Sequence, residues 1–70
     1  MVRQEEVLAV IRENPNITTR EIAYKISRPD DRHVYKQVRE EAYVRCRALE
    51  RYGIVRGYEL NGNIHWTVNE

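Results

Sequence analysis

The segment Ile17-Thr18-Thr19-Arg20-Glu21-Ile22 leaves the chain little local choice. Thr18 and Glu21 stand three residues apart. At that spacing a threonine hydroxyl accepts from the amide of residue 21 while the glutamate reaches back to residue 18, forming a capping box. Ile17 and Ile22 flank the pair in the positions of a hydrophobic staple. The pattern predicts a sharply started helix of about two turns over residues 19–26. Ile22, Ala23 and Ile26 form its buried side.

The flanking segments follow from periodicity and breakers. Val7, Leu8, Val10 and Ile11 make one apolar face of a helix over about residues 2–13. Asn14-Pro15-Asn16 stops it, because Pro15 disfavours helical geometry at Asn14. Ser27-Arg28-Pro29-Asp30-Asp31 reads as a turn. Ser27 with Asp30 makes a second capping-box pattern, and Asp30 or Asp31 could cap instead, which leaves the next start open by about three residues. A long third helix then runs over about residues 30–52, closed by Gly53 as a left-handed C-cap. Val34, Tyr35, Val38, Ala42 and Leu49 cluster on one side of it, with Tyr52 near the edge. Arg32, Lys36, Arg39, Tyr43 and Arg47 fall within about 80° of arc on the other. Arg45 points toward the apolar face. A bend in the helix, pairing with Glu41 or contact with a partner chain would each accommodate it. A short capped helix, a tight turn and a longer basic helix form a helix-turn-helix, whose second helix can enter the major groove of DNA.

Asn61-Gly62 centres a hairpin over residues 54–69, since both positions tolerate the positive φ of a type I′ turn. That turn pairs Leu60 with Asn63, Tyr58 with His65, Gly57 with Trp66 and Val55 with Val68. Val55, Gly57, Ile64, Trp66 and Val68 then share one face, and Gly57 leaves room for the indole. A slip of one residue would expose Trp66. Because an isolated hairpin is marginal in water, this face must pack on the helices. The fold class expected is α+β, three helices followed by a two-stranded antiparallel hairpin in a single domain of 70 residues.

Composition narrows the function classes. With 41% hydrophobic and 33% charged residues, the chain has the make-up of a globular domain. It has no apolar run near the ~20 residues of a membrane span and no signal-peptide pattern, so a cytoplasmic location without membrane contact is expected. The only cysteine, Cys46, excludes an internal disulfide. Its arginine neighbours would suit a redox-sensing thiolate, but its place at the flank of the apolar face favours a small packed residue. His33 and His65 are the only histidines, and neither has partners at metal-ligand spacing. With no phosphate loop and no nucleophile set, neither catalysis nor a cofactor is expected. Net charge is only +1, yet residues 20–56 hold ten basic and six acidic groups, and ten of the chain's twelve basic residues are arginine. Arginine suits bidentate contact with phosphate or guanine.

Thr18-Thr19-Arg20-Glu21-Ile22-Ala23 resembles the second helix of many bacterial and archaeal winged helix-turn-helix regulators, including the MarR-like group. Leu49-Glu50-Arg51-Tyr52-Gly53-Ile54-Val55 is similar to the end of their recognition helix and the entry into their wing. Two departures stand out. The basic helix is about two turns longer than usual, and the wing tip Asn61-Gly62-Asn63 lacks the Lys or Arg that many family wings place on the backbone or minor groove. Z-DNA-binding winged helices also carry a tryptophan on the last strand, but the two prolines that precede it there are absent here.

The resemblance implies double-stranded DNA as partner, with Arg32, His33, Lys36, Gln37 and Arg39 at base edges. Arg20, Lys25 and Arg28, with the amides of Thr19 and Arg20, would hold phosphates. Tyr43 lies in the basic stripe, and Tyr24 is expected at the surface. A homodimer is expected, because paired half-sites repair the weak specificity of one small reading head. Its contact surfaces would be the first helix and the far end of the third. No small-molecule ligand is expected. The rival reading is a winged helix that docks on protein, which the small net charge, the uncharged wing tip and Arg45 favour. Glu40, Glu41 and Glu50 of the long helix would also repel DNA if they faced it. The discriminating feature is whether Arg32, Lys36, Arg39 and Arg47 are free or neutralised within the chain.

Overall fold

The computed structural model describes residues 2–27 and 32–69, excluding the side chains of residues 32–34. Its elements run α1 (Gln4–Glu13), β1 (Ile17–Thr18), α2 (Thr19–Ile26), α3 (Arg32–Arg51), β2 (Val55–Leu60) and β3 (Asn63–Val68). The class is α+β, with three helices and a three-stranded antiparallel sheet of order β1-β3-β2. No helix among the described residues is long and apolar enough to cross a membrane.

Both reciprocal bonds of the capping box form. Thr18 Oγ1 accepts from the Glu21 amide at 3.1 Å, and Glu21 Oε1 accepts from the Thr18 amide at 3.1 Å. The Thr18 amide and hydroxyl hold the Glu21 carboxyl below the ordinary glutamate range. At the other end of the helical layer, α3 finishes in a Schellman motif. Gly53 at φ 76° donates to the carbonyl of Glu50, and Ile54 donates to that of Leu49. The second capping-box pattern, Ser27 with Asp30, and the start of the third helix at about residue 30 lie outside the described residues.

The hairpin register is the expected one throughout, from Leu60↔Asn63 to Val55↔Val68. Asn61 and Gly62 take φ 53° and 79°, as a type I′ turn requires. A Cβ on Gly57 would lie 2.6 Å from Trp66 Cζ3, so only glycine lets the indole lie flat there. Trp66 is fully buried and donates from Nε1 to Thr19 Oγ1 at 2.7 Å. It joins Val7, Ile11, Ile17, Ile22, Ala42, Leu49 and Val55 in one core, which both members of the hydrophobic staple enter.

Three features differ from expectation. First, the sheet has three strands, because Ile17↔Trp66 and Thr18↔His65 add β1 to the free edge of β3. Extended backbone at the N-cap (Thr18, φ −83°, ψ 159°) makes this pairing available. Asn16, at φ 65°, turns the chain into that strand, and its side chain accepts from Tyr58 Oη at 2.7 Å. His65 Nδ1 lies 2.8 Å from the Asn16 carbonyl and so carries the proton of that bond.

Second, α1 begins at Gln4, not residue 2, while Val2 is pinned under α3. Glu41 Oε2 accepts from the Val2 amide at 2.7 Å, and Arg45 Nε donates to the Val2 carbonyl at 3.1 Å. Arg45 thus leans toward the core to satisfy backbone, and Glu41 serves the same residue. Third, Tyr52 is 75% exposed, having left the apolar face where the helix ends. Cys46 is packed in the core, as its place on the helix predicts, and burial pushes its thiol up to about 12. Without a thiolate at neutral pH, its role is packing.

Candidate nucleic-acid interface

Three elements meet around an open cleft of about 510 Å³. The N-terminus of α2 supplies Thr18, Thr19 and Arg20. One face of α3 supplies Lys36, Arg39, Glu40, Tyr43 and Val44. The hairpin tip closes the third side with Gly62, Asn63 and Ile64. The α3 residues follow the spacing i, i+3, i+4, i+7, i+8, which places them on one stripe of a helix.

What positions each wall can be read from the core outward. The Trp66–Thr19 bond and the β1–β3 pairing hold the start of α2 against the hairpin. Ala42, Cys46 and Leu49 fix the opposite side of α3 in the core, which turns Lys36, Arg39 and Tyr43 outward. The amides of Thr19 and Arg20 belong to the first turn of α2, where no intrahelical acceptor is available. They add the positive end of the helix dipole to the cleft.

Arg47 departs from the expected stripe. Its guanidinium donates to Tyr43 Oη at 2.9 Å and to Glu50 Oε1 at 2.6 Å. It also lies over the rings of Tyr43 and Trp66, at 5.1 and 5.5 Å from their centroids. The Tyr43 hydroxyl and then Glu50 raise its pKa further, so it is a permanent cation that is already partnered. Glu50 in turn accepts from the Gly57 amide at 3.2 Å, tying α3 to β2. Arg47 first and the Gly57 amide after it hold that carboxyl below its ordinary range. Tyr43 therefore presents its ring to the cleft from a fixed position.

Among the described residues, Lys36, Arg39 and Arg20 make no ion pair; the pair found is Arg47–Glu50. Of the residues expected at a DNA contact, Arg20, Lys36, Arg39 and Tyr43 converge on the cleft. Lys25 and Gln37 are exposed but do not line it. Arg28 and the side chains of Arg32 and His33 lie outside what is described. Tyr24 is exposed, also away from the cleft.

Val44 and the hairpin-tip residues Gly62 and Ile64 are cleft residues that the charge pattern passed over, and Glu40 enters the cleft as an acid counted against DNA contact. The helical spacing from Lys36 and Arg39 contains the signal for Glu40 and Val44. Among the described residues, no group of three or more His, Cys, Asp or Glu side chains could hold a metal ion. Comparison of the chain with protein-family models, with curated proteins and with solved structures finds no match.

Proposed function

We propose that the chain is a winged helix-turn-helix domain that binds double-stranded DNA as a small transcriptional regulator. In this reading α3 enters the major groove and β2–β3 form the wing. The observation that carries it is the convergence of Arg20, Lys36 and Arg39 on one cleft without an ion pair among the described residues, beside the open end of α2. A cleft walled by cations, first-turn amides and an exposed tyrosine suits a polyanion. The wing tip contributes backbone and asparagine in place of charge, so it would follow the duplex by shape. Two copies on paired half-sites would supply the specificity that one head lacks.

The competing reading is a protein-docking module. Two observations favour it: Arg47 is neutralised within the chain by Glu50, and Glu40 and Val44, an acid and an apolar side chain 60% exposed, share the cleft with the cations.

Fluorescence anisotropy of a labelled mixed-sequence duplex, from about 50 to 200 mM salt, separates the two. Engagement of three cations predicts a log–log slope near −2.7, or on the order of a 40-fold loss of affinity over that range. A folded protein with no binding at the lowest salt would leave the docking module as the working reading.

A further inference from the structure

Glu40 is the unexplained residue of the cleft. It lies on the same stripe of α3 as Lys36, Arg39, Tyr43 and Val44, is exposed, and makes no hydrogen bond or ion pair among the described residues. The two other acids of this helix are occupied, Glu41 by the Val2 amide and Glu50 by Arg47 and the Gly57 amide. Against a phosphate backbone an unpaired carboxylate is repelled, and Val44 gains nothing there. The base edges of the major groove offer both side chains a partner. Cytosine N4 is a hydrogen-bond donor that a glutamate accepts, and the thymine methyl is an apolar contact. The alternation of cation, acid and apolar residue along one helical stripe fits a surface that meets base edges better than one that meets phosphates.

We propose that Glu40 is a specificity-determining residue that accepts a hydrogen bond from the N4 amino group of a cytosine in the bound duplex. Val44, one turn further on, meets a pyrimidine methyl group. The inference rests on the DNA-binding reading above. It changes what an acid in the cleft means: Glu40 weakens non-specific binding and rewards one base pair.

The test is selection of binding sites from a duplex pool with a randomised centre, for the wild-type chain and Glu40→Gln. Anisotropy on the selected duplexes follows, and circular dichroism confirms that both proteins are folded. The wild type is expected to enrich a C·G pair at one position. Glu40→Gln should relax that position or turn it to adenine, whose N6 and N7 a glutamine can engage, and leave the others unchanged. Discrimination at that position should fall on the order of tenfold. If Glu40→Gln selects the same sites and binds all duplexes uniformly tighter, Glu40 only repels phosphate and the inference is overturned. Wild-type binding without any enriched motif also overturns it, while the DNA-binding reading stands. No wild-type binding to any duplex at low salt defeats that reading and this one together.

Discussion

Two pairs of cations on α3, Arg45 with Arg47 and Lys36 with Arg39, differ in availability. Toward the C-terminal end of the helix, Arg45 and Arg47 are spent on the fold itself, whereas Arg51 in the last turn is exposed and makes no ion pair among the described residues. Arg45 closes on the Val2 carbonyl, and Arg47 bridges Tyr43, Glu50 and the face of Trp66. Earlier in the same helix, Lys36 and Arg39 look into a cleft where, among the described residues, no acid pairs with them. The difference arises from what lies opposite. The chain before α1 folds back onto the later turns and presents the Val2 carbonyl to Arg45, while Arg47 finds its acceptors on α3 itself, in Tyr43 and Glu50, against the face of Trp66. At the cleft the neighbouring element is the start of α2, which presents N–H groups and another arginine. Cations facing donors stay available to an outside anion, so what lies opposite each cation decides its role.

The largest effect expected is at the residue that joins both regions. Trp66→Ala should cost about 3–5 kcal/mol, since it opens a cavity in the core and removes the anchor of Thr19. Stability by urea denaturation and duplex affinity should fall together. Next comes the cleft alone. Replacing Arg20, Lys36 and Arg39 by alanine should weaken duplex binding on the order of 100-fold at about 100 mM salt and flatten the salt slope by up to about 3. Stability should move by less than about 0.5 kcal/mol per site, as these are exposed side chains.

The committed pair should respond in the opposite sense. Arg45→Ala should cost about 1–2 kcal/mol of stability through the Val2 carbonyl it leaves, with duplex affinity unchanged. A variant that keeps its stability but loses binding would erase the distinction between the two pairs.

The smallest effect expected is a pH dependence. Glu50 and Glu21 have carboxyls held below the ordinary range, Glu50 chiefly by Arg47 and Glu21 by Thr18. Lowered folded-state values mean a contribution that is present above the unfolded pKa, about 4.3, and lost as pH falls through the folded values. Both groups are near the surface, so each should contribute no more than about 1 kcal/mol. Glu50→Gln should remove its share of the acid-side loss in urea titrations between about pH 5 and 2, and an unchanged profile would show that the Arg47 bridge is energetically silent.

Local signals in the sequence proved dependable. Thr18 with Glu21, Gly53 at the end of α3 and Asn61-Gly62 each specify a conformation within four residues, and all three form. The Gly57–Trp66 pairing followed because a two-residue turn leaves only one register. Strand β1 was not legible, since two residues cannot display a period of two and its partner lies 49 positions away at Trp66. Arg47 was misread for a different reason. Helical periodicity placed it beside Lys36 and Arg39, yet the same periodicity sets Tyr43 four residues before it and Glu50 three after it; only the Trp66 face depends on the hairpin folding back. Within the cleft, Lys36, Arg39 and Tyr43 were legible from spacing. Lys25 and Gln37 were chosen by residue type and fall elsewhere, while Glu40 and Val44 had the right spacing and the wrong chemistry for a basic stripe.

The most direct test of the cleft as the binding surface is an amide chemical-shift titration of the labelled protein with an unlabelled duplex at low salt. Shifts concentrated at residues 18–20, along α3 from Lys36 to Val44 and at Gly62–Ile64 are the predicted result. Shifts confined to α1 and the Tyr52–Ile54 turn, with the cleft silent, would contradict it.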